Sequence, residues 1–145
     1  MREEAALAPF TTDGCSGGLS AVWTATARAI PAFAAAHLDA PPWEACCVSH
    51  DRAYHAGGAD PAPKASFTAR LEADQALRAC VIATEDARSP DLQARYGMSE
   101  AQISTAYAAI AAAMFEAVRL GGAPCSGLPW RWGYGWPDCG LLGGG

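Results

Sequence analysis

An adjacent pair of cysteines, Cys46-Cys47, inside the run WEACCVSHDRAYHAGG (43–58), constrains this chain more than any other feature. With Cys15, Cys80, Cys125 and Cys139 the chain carries six cysteines in 145 residues. An even count in so short a chain reads as three disulfides and an oxidising compartment, so a secreted or periplasmic location is expected. The first residues, MREEAALAPF, lack the apolar core of a signal peptide. The expectation is that a leader is missing from this sequence.

The length suits one domain, 1–145. Hydrophobic residues make up 51%. Many are alanine, which favours helix and buries little area per residue. The net charge of -5 argues against nucleic acid as a partner and gives no attraction to anionic lipid. No run of about 20 apolar residues is present, so no transmembrane segment is expected. The oligomeric state is not legible.

Helical periodicity dominates. The first ten residues read as a loose arm, and TTDGCSGG (11–18) as a glycine-rich loop. An alanine-rich helix is expected over about 19–38, kinked at Pro31. A second should span 43–56 and stop at Gly57-Gly58. A third should cover about 65–86, with Phe67, Leu71, Leu77 and Val81 as its apolar stripe. RSPDLQARYG (88–97) reads as an irregular link. Ser99, with Gln102 three residues on, is a capping box for a fourth helix ending at Gly121-Gly122. The expected class is all-α, with two long helices at the centre and others flanking them.

The link between helices 43–56 and 65–86 is short, so they should lie antiparallel. Cys46 to His50 climbs about 6 Å, and Cys80 back to Asp74 about 9 Å in the same sense. A Cys46–Cys80 bridge would therefore bring Asp74 near the level of His50. A carboxylate on one imidazole nitrogen fixes the tautomer and leaves the other nitrogen as a base. Cys47 points about 100° from Cys46 and can reach another segment. Cys15, in the glycine-rich loop, is the natural partner. That loop would then offer backbone carbonyls beside the Asp51 carboxylate, hard oxygen ligands of the kind Ca²⁺ takes.

These residues resemble the secreted phospholipase A2 superfamily, which carries a Cys-Cys-x-x-His-Asp-x-x-Tyr run on a long helix. Here the run is Cys46-Cys47-Val48-Ser49-His50-Asp51-Arg52-Ala53-Tyr54. ADQALRAC supplies the aspartate of the antiparallel helix, Asp74, and a cysteine six positions later, Cys80. DGCSGG (13–18) is similar to the family's calcium loop. The resemblance covers roughly residues 13–81 and suggests a reduced, bacterial-type member. It implies a disulfide-stapled phospholipase A2-like fold with pairings Cys15–Cys47 and Cys46–Cys80, which leaves Cys125–Cys139. It further implies calcium-dependent hydrolysis of phospholipid esters, at sn-2, on substrate at a membrane interface. In that scheme His50 is the general base, Asp74 orients it, and Tyr54 supports Asp74. Ca²⁺ is held by Asp51 and the carbonyls of Gly14, Ser16 and Gly18, and the Ser16 N–H completes an oxyanion site.

Two features depart from the family. Ser16 stands where glycine is usual, and no β-wing hairpin fits after Gly58. Residues 99–145 have no counterpart. The competing readings are a noncatalytic phospholipase A2-like binding module and a disulfide-stapled structural domain. Zinc on Cys46, Cys47 and His50 lacks a suitable fourth ligand. His37 and His55 read as surface histidines. The tail, with Trp130, Trp132, Tyr134 and Trp136, reads as a loop capping the helices, though such aromatics also suit a lipid interface. Arg131 is a candidate phosphate contact.

Overall fold

The computed structural model describes residues 5–12, 43–129 and 131–137. Among the described residues there are four helices and no strand. They are α1 (Glu44–Ala56), α2 (Pro63–Ala83), α3 (Glu85–Tyr96) and α4 (Glu100–Gly121). The chain is helical, as expected. The helix expected over 19–38 lies outside the described residues.

Local chemistry explains most boundaries. α1 ends at Gly57, whose left-handed φ of 69° suits glycine, and its N–H bonds the Ala53 carbonyl. α2 opens with Pro63 in its first turn, where a missing N–H costs nothing. α4 opens on the expected capping box: Ser99 Oγ accepts from the Gln102 N–H, and the Gln102 side chain accepts from the Ser99 N–H.

The stretch read as an irregular link is mostly helical. α3 runs through Pro90, starting only after Thr84. Acidic Glu85 and Asp86 sit in its first turn, and Gly97 caps its end at φ 63°. Leu92 is buried in the core, and Arg95 pairs with Asp91 one turn back. These gains offset the backbone bond that proline removes.

The expected stripe on α2 also needs correction. Its buried residues are Arg70, Asp74, Leu77 and Val81. Phe67 is exposed. The face is helical in spacing, but its N-terminal half is charged rather than apolar.

The core gathers Trp43, the Cys46 and Cys47 side chains, Leu77, Val81, Leu92 and the buried face of α4. That face comprises Ile103, Tyr107, Ile110, Ala111, Met114 and Val118. Among the described residues α4 is the one helix long and apolar enough to cross a membrane by length and composition. In this fold its apolar face lies in the core.

α1 and α2 run antiparallel. Cys46 meets Cys80, His50 meets Asp74, and Tyr54 meets both Asp74 and Arg70. The Cys46–Cys80 disulfide has a Cα–Cα separation of 5.7 Å, inside the range such bridges need. Cys47 and Cys125 are also disulfide-bonded. The partners expected for them, Cys15 and Cys139, lie outside the described residues.

Candidate active site

Two helical turns of α1 carry the candidate residues His50, Asp51 and Tyr54. His50 and Tyr54 are four residues apart, so they share a face. Their rings lie 4.3 Å apart. Both are buried, and both point at Asp74 on α2. His50 Nε2 lies 2.7 Å from Asp74 Oδ1. Tyr54 donates its hydroxyl proton to the same oxygen at 2.6 Å. The structure thus brings His50, Asp74 and Tyr54 into one cluster.

Asp74 is completely buried. Burial pushes its carboxyl up, but hydrogen bonds from His50, Tyr54 and Arg119 outweigh that and hold it below its ordinary value. An ionised carboxylate accepts and cannot donate. The proton of neutral His50 therefore sits on Nε2, and Nδ1 carries the lone pair. Burial, reinforced by the hydrogen bond and charge of Asp74, pushes the Tyr54 hydroxyl far up, so Tyr54 stays a donor.

Two arginines in this cluster were not anticipated from the sequence. Arg119 Nη1, in the last turn of α4, donates to Asp74 Oδ2 at 2.8 Å. Arg70, buried on α2, donates through Nε to Tyr54 Oη at 3.2 Å. Its Nη2 reaches the Val118 and Arg119 carbonyls at 3.0 and 2.7 Å. Both carbonyls lie in the last turn of α4, where that of Val118 also accepts the capping N–H of Gly122. Arg70 therefore ties the end of α4 to the Tyr54–Asp74 pair. The approach is close: a Cβ added to Gly122 would sit 2.6 Å from the Tyr54 ring.

Asp51 follows His50 on α1 and is half-buried. Thr12 Oγ1 donates to its Oδ2 at 2.6 Å. Gly14, Cys15, Ser16 and Gly18 lie outside the described residues. Among the described residues no group of three or more His, Cys, Asp or Glu side chains could hold a metal ion. Of the donor set expected for Ca²⁺, the Asp51 carboxylate is the one member among the described residues. That member fits a hard cation in chemistry.

The arm and tail close over the end of α1. Gly133 N–H donates to the Tyr54 carbonyl, Gly135 N–H to that of His55, and Trp136 Nε1 to that of Ala56. These are last-turn carbonyls that a helix leaves unsatisfied. Trp132 packs edge-on to Tyr54, and its Nε1 donates to Ser66 Oγ. The tail thus caps the helices, as one reading expected. Trp130 and Cys139 lie outside the described residues. Arg131 donates to the Leu128 and Trp136 carbonyls, so it braces the tail turn.

The described part of the arm, residues 5–12, is tied to the tail. Ala8 N–H donates to the Gly135 carbonyl, and Tyr134 Oη to that of Thr11. Arg52 lies over the Phe10 ring at 4.1 Å. His55, expected at the surface, is buried between Phe10 and Tyr134 because arm and tail meet over it.

A groove of about 710 Å³ lies between the end of α3 and the first turns of α4, lined by Tyr96, Met98, Gln102 and Thr105 among others. None of the His50 cluster lines it. No protein-family model, curated protein or solved structure matches the chain.

Proposed function

We propose that the chain is a calcium-dependent, phospholipase A2-like ester hydrolase acting on phospholipid at a membrane interface, at the sn-2 ester. The observation that carries this reading is the buried Nε2–H···Oδ1 contact of His50 with Asp74, 2.7 Å long. It holds one imidazole nitrogen and leaves Nδ1 with its lone pair, as a general base requires.

In this mechanism a water beside Nδ1 attacks the ester carbonyl while His50 takes its proton. The imidazolium that forms is stabilised by ionised Asp74. His50 then returns the proton from Nδ1 to the departing alkoxide oxygen. Tyr54 holds the carboxylate through this cycle without exchanging its own proton. No covalent acyl-enzyme is needed. The Asp51 carboxylate, with the carbonyls of Gly14, Ser16 and Gly18, would hold Ca²⁺. The bound ion would supply Lewis-acid polarisation of the carbonyl and countercharge for the phosphate. The Ser16 N–H would complete the oxyanion site. With six cysteines the same reading places the protein in a secreted or periplasmic compartment.

Calorimetric Ca²⁺ titration of the wild type and Asp51→Asn, paired with fatty-acid release from mixed phospholipid vesicles in Ca²⁺ or EDTA, tests this. Binding and release should both be present in the wild type and both be lost in Asp51→Asn. EDTA should stop release. Folded, oxidised protein that releases no fatty acid from several head groups would leave a noncatalytic binding module instead.

A further inference from the structure

We infer that Arg119 is a positioning residue for the proposed hydrolysis, locking the Asp74 carboxylate so that Oδ1 is presented to His50. The inference rests on the functional reading above and adds a residue to it from a different helix.

The two oxygens of Asp74 are used unequally. Oδ1 accepts from His50 Nε2 at 2.7 Å and from Tyr54 Oη at 2.6 Å. Oδ2 accepts from Arg119 Nη1 at 2.8 Å. No other partner of Oδ2 is found among the described residues. Turning the carboxylate about its Cβ–Cγ bond swings both oxygens together and would carry Oδ1 out of line with His50 Nε2. With Oδ2 held, that rotation is closed. Breaking such a buried pair also strands an anionic oxygen without solvent.

Arg119 has a second property that His50 lacks. In the proposed cycle His50 alternates between neutral and charged. Arg119 is charged throughout, so the countercharge of Asp74 on its Oδ2 side does not change as the proton moves.

Arg119 is itself aimed. Its guanidinium lies over the Phe67 ring at 5.7 Å. Its backbone carbonyl accepts from Arg70 Nη2 at 2.7 Å, and Arg70 Nε also holds Tyr54 Oη. One arginine therefore fixes the carboxylate, and the other fixes both the tyrosine and the helix end from which the first reaches in.

The test uses Arg119→Met, Arg119→Gln and Arg119→Lys in the full, oxidised chain. Melting curves first identify which variants fold, and the comparison is made on the neutral variant that does. Two readouts follow: the downfield proton resonance of His50 Nε2–H in the resting protein, and kcat and KM for vesicle hydrolysis. The neutral variant should lose the resonance to exchange with water and lose up to about 100-fold in kcat, with KM unchanged. Lysine should restore both in large part. A folded neutral variant that keeps the resonance and the wild-type kcat overturns the inference. So does one in which KM alone changes. The resonance needs no turnover. A wild type that hydrolyses nothing would therefore count against the functional reading, while the resonance would still judge the Arg119 lock.

Discussion

Asp74 concentrates the physical risk of this fold into one residue. It is an anion with no solvent exposure, tolerable only because His50, Tyr54 and Arg119 all donate to it. Its folded-state carboxyl titrates below the ordinary 3.8. The stability it contributes is therefore complete above that value, and it is lost as pH falls through the lower folded value. Denaturant unfolding across an acidic pH series should show this slope in the wild type and lack it in Asp74→Asn. At neutral pH that variant should be about 3–5 kcal/mol less stable, because Arg119 and the cluster lose a buried partner. An unchanged midpoint at neutral pH would mean that the ion pair contributes nothing net.

At the same scale, His50, Asp74 and Tyr54 are legible because their relations are local or set by one register. The histidine and tyrosine are one helical turn apart, and the aspartate is reached by counting six residues back from a bridged cysteine. Arg119 is not legible. It contacts Asp74 across 45 residues, and a basic residue in the last turn of a helix has a sufficient local explanation in the helix dipole. Arg70 carries no local signal either, since its partners lie 16 to 49 positions away.

At the scale of elements, α1 is finished by the two ends of the chain. Gly133, Gly135 and Trp136 satisfy its last carbonyls, and the arm is pinned to that turn in the tail. Gly135 has no room for a side chain: a Cβ there would lie 2.5 Å from His55 Nε2 and 2.6 Å from the His55 carbonyl oxygen. Gly135→Ala should therefore push the tail off α1 and cost about 1–3 kcal/mol. Amide exchange at Gly133 and Gly135 should accelerate while that at the Cys46–Cys80 end of α1 does not. Uniform protection in the variant would show that the tail adjusts without releasing the helix. Helix boundaries with a local chemical signal, such as the Ser99 box and the Gly57 stop, are readable. α3 is not, because Pro90 signals a break locally while burial of Leu92 and the Gly97 cap act against it. His55 reads as a surface residue for a related reason: what buries it arrives from positions 10 and 134.

At the scale of the whole molecule, the antiparallel pair α1–α2 is the frame, and the disulfide at one end sets its register. Cys46 and Cys80 are separated by 34 positions. Closing a loop of that length removes unfolded-state entropy worth about 3–4 kcal/mol in the chain-entropy account. Replacing both cysteines by serine should lower stability by about that amount in a denaturant titration, and should broaden the His50 and Tyr54 side-chain signals as the register loosens. A double variant with wild-type stability would place the register in the packing of α4 on α2 instead. The all-α class is legible from periodicity and the cysteine pair. The role of α4 is not, since a helix of alanines, Ile103, Ile110 and Met114 reads as core whether or not its end reaches the site.

The proposed function stands or falls on His50 as the base of a calcium-dependent ester hydrolysis. The most direct measurement is the initial rate of fatty-acid release from mixed phospholipid vesicles in Ca²⁺, for the wild type beside His50→Gln. Release is expected from the wild type, and none above background from a folded His50→Gln. Equal rates from the two proteins would contradict the proposal.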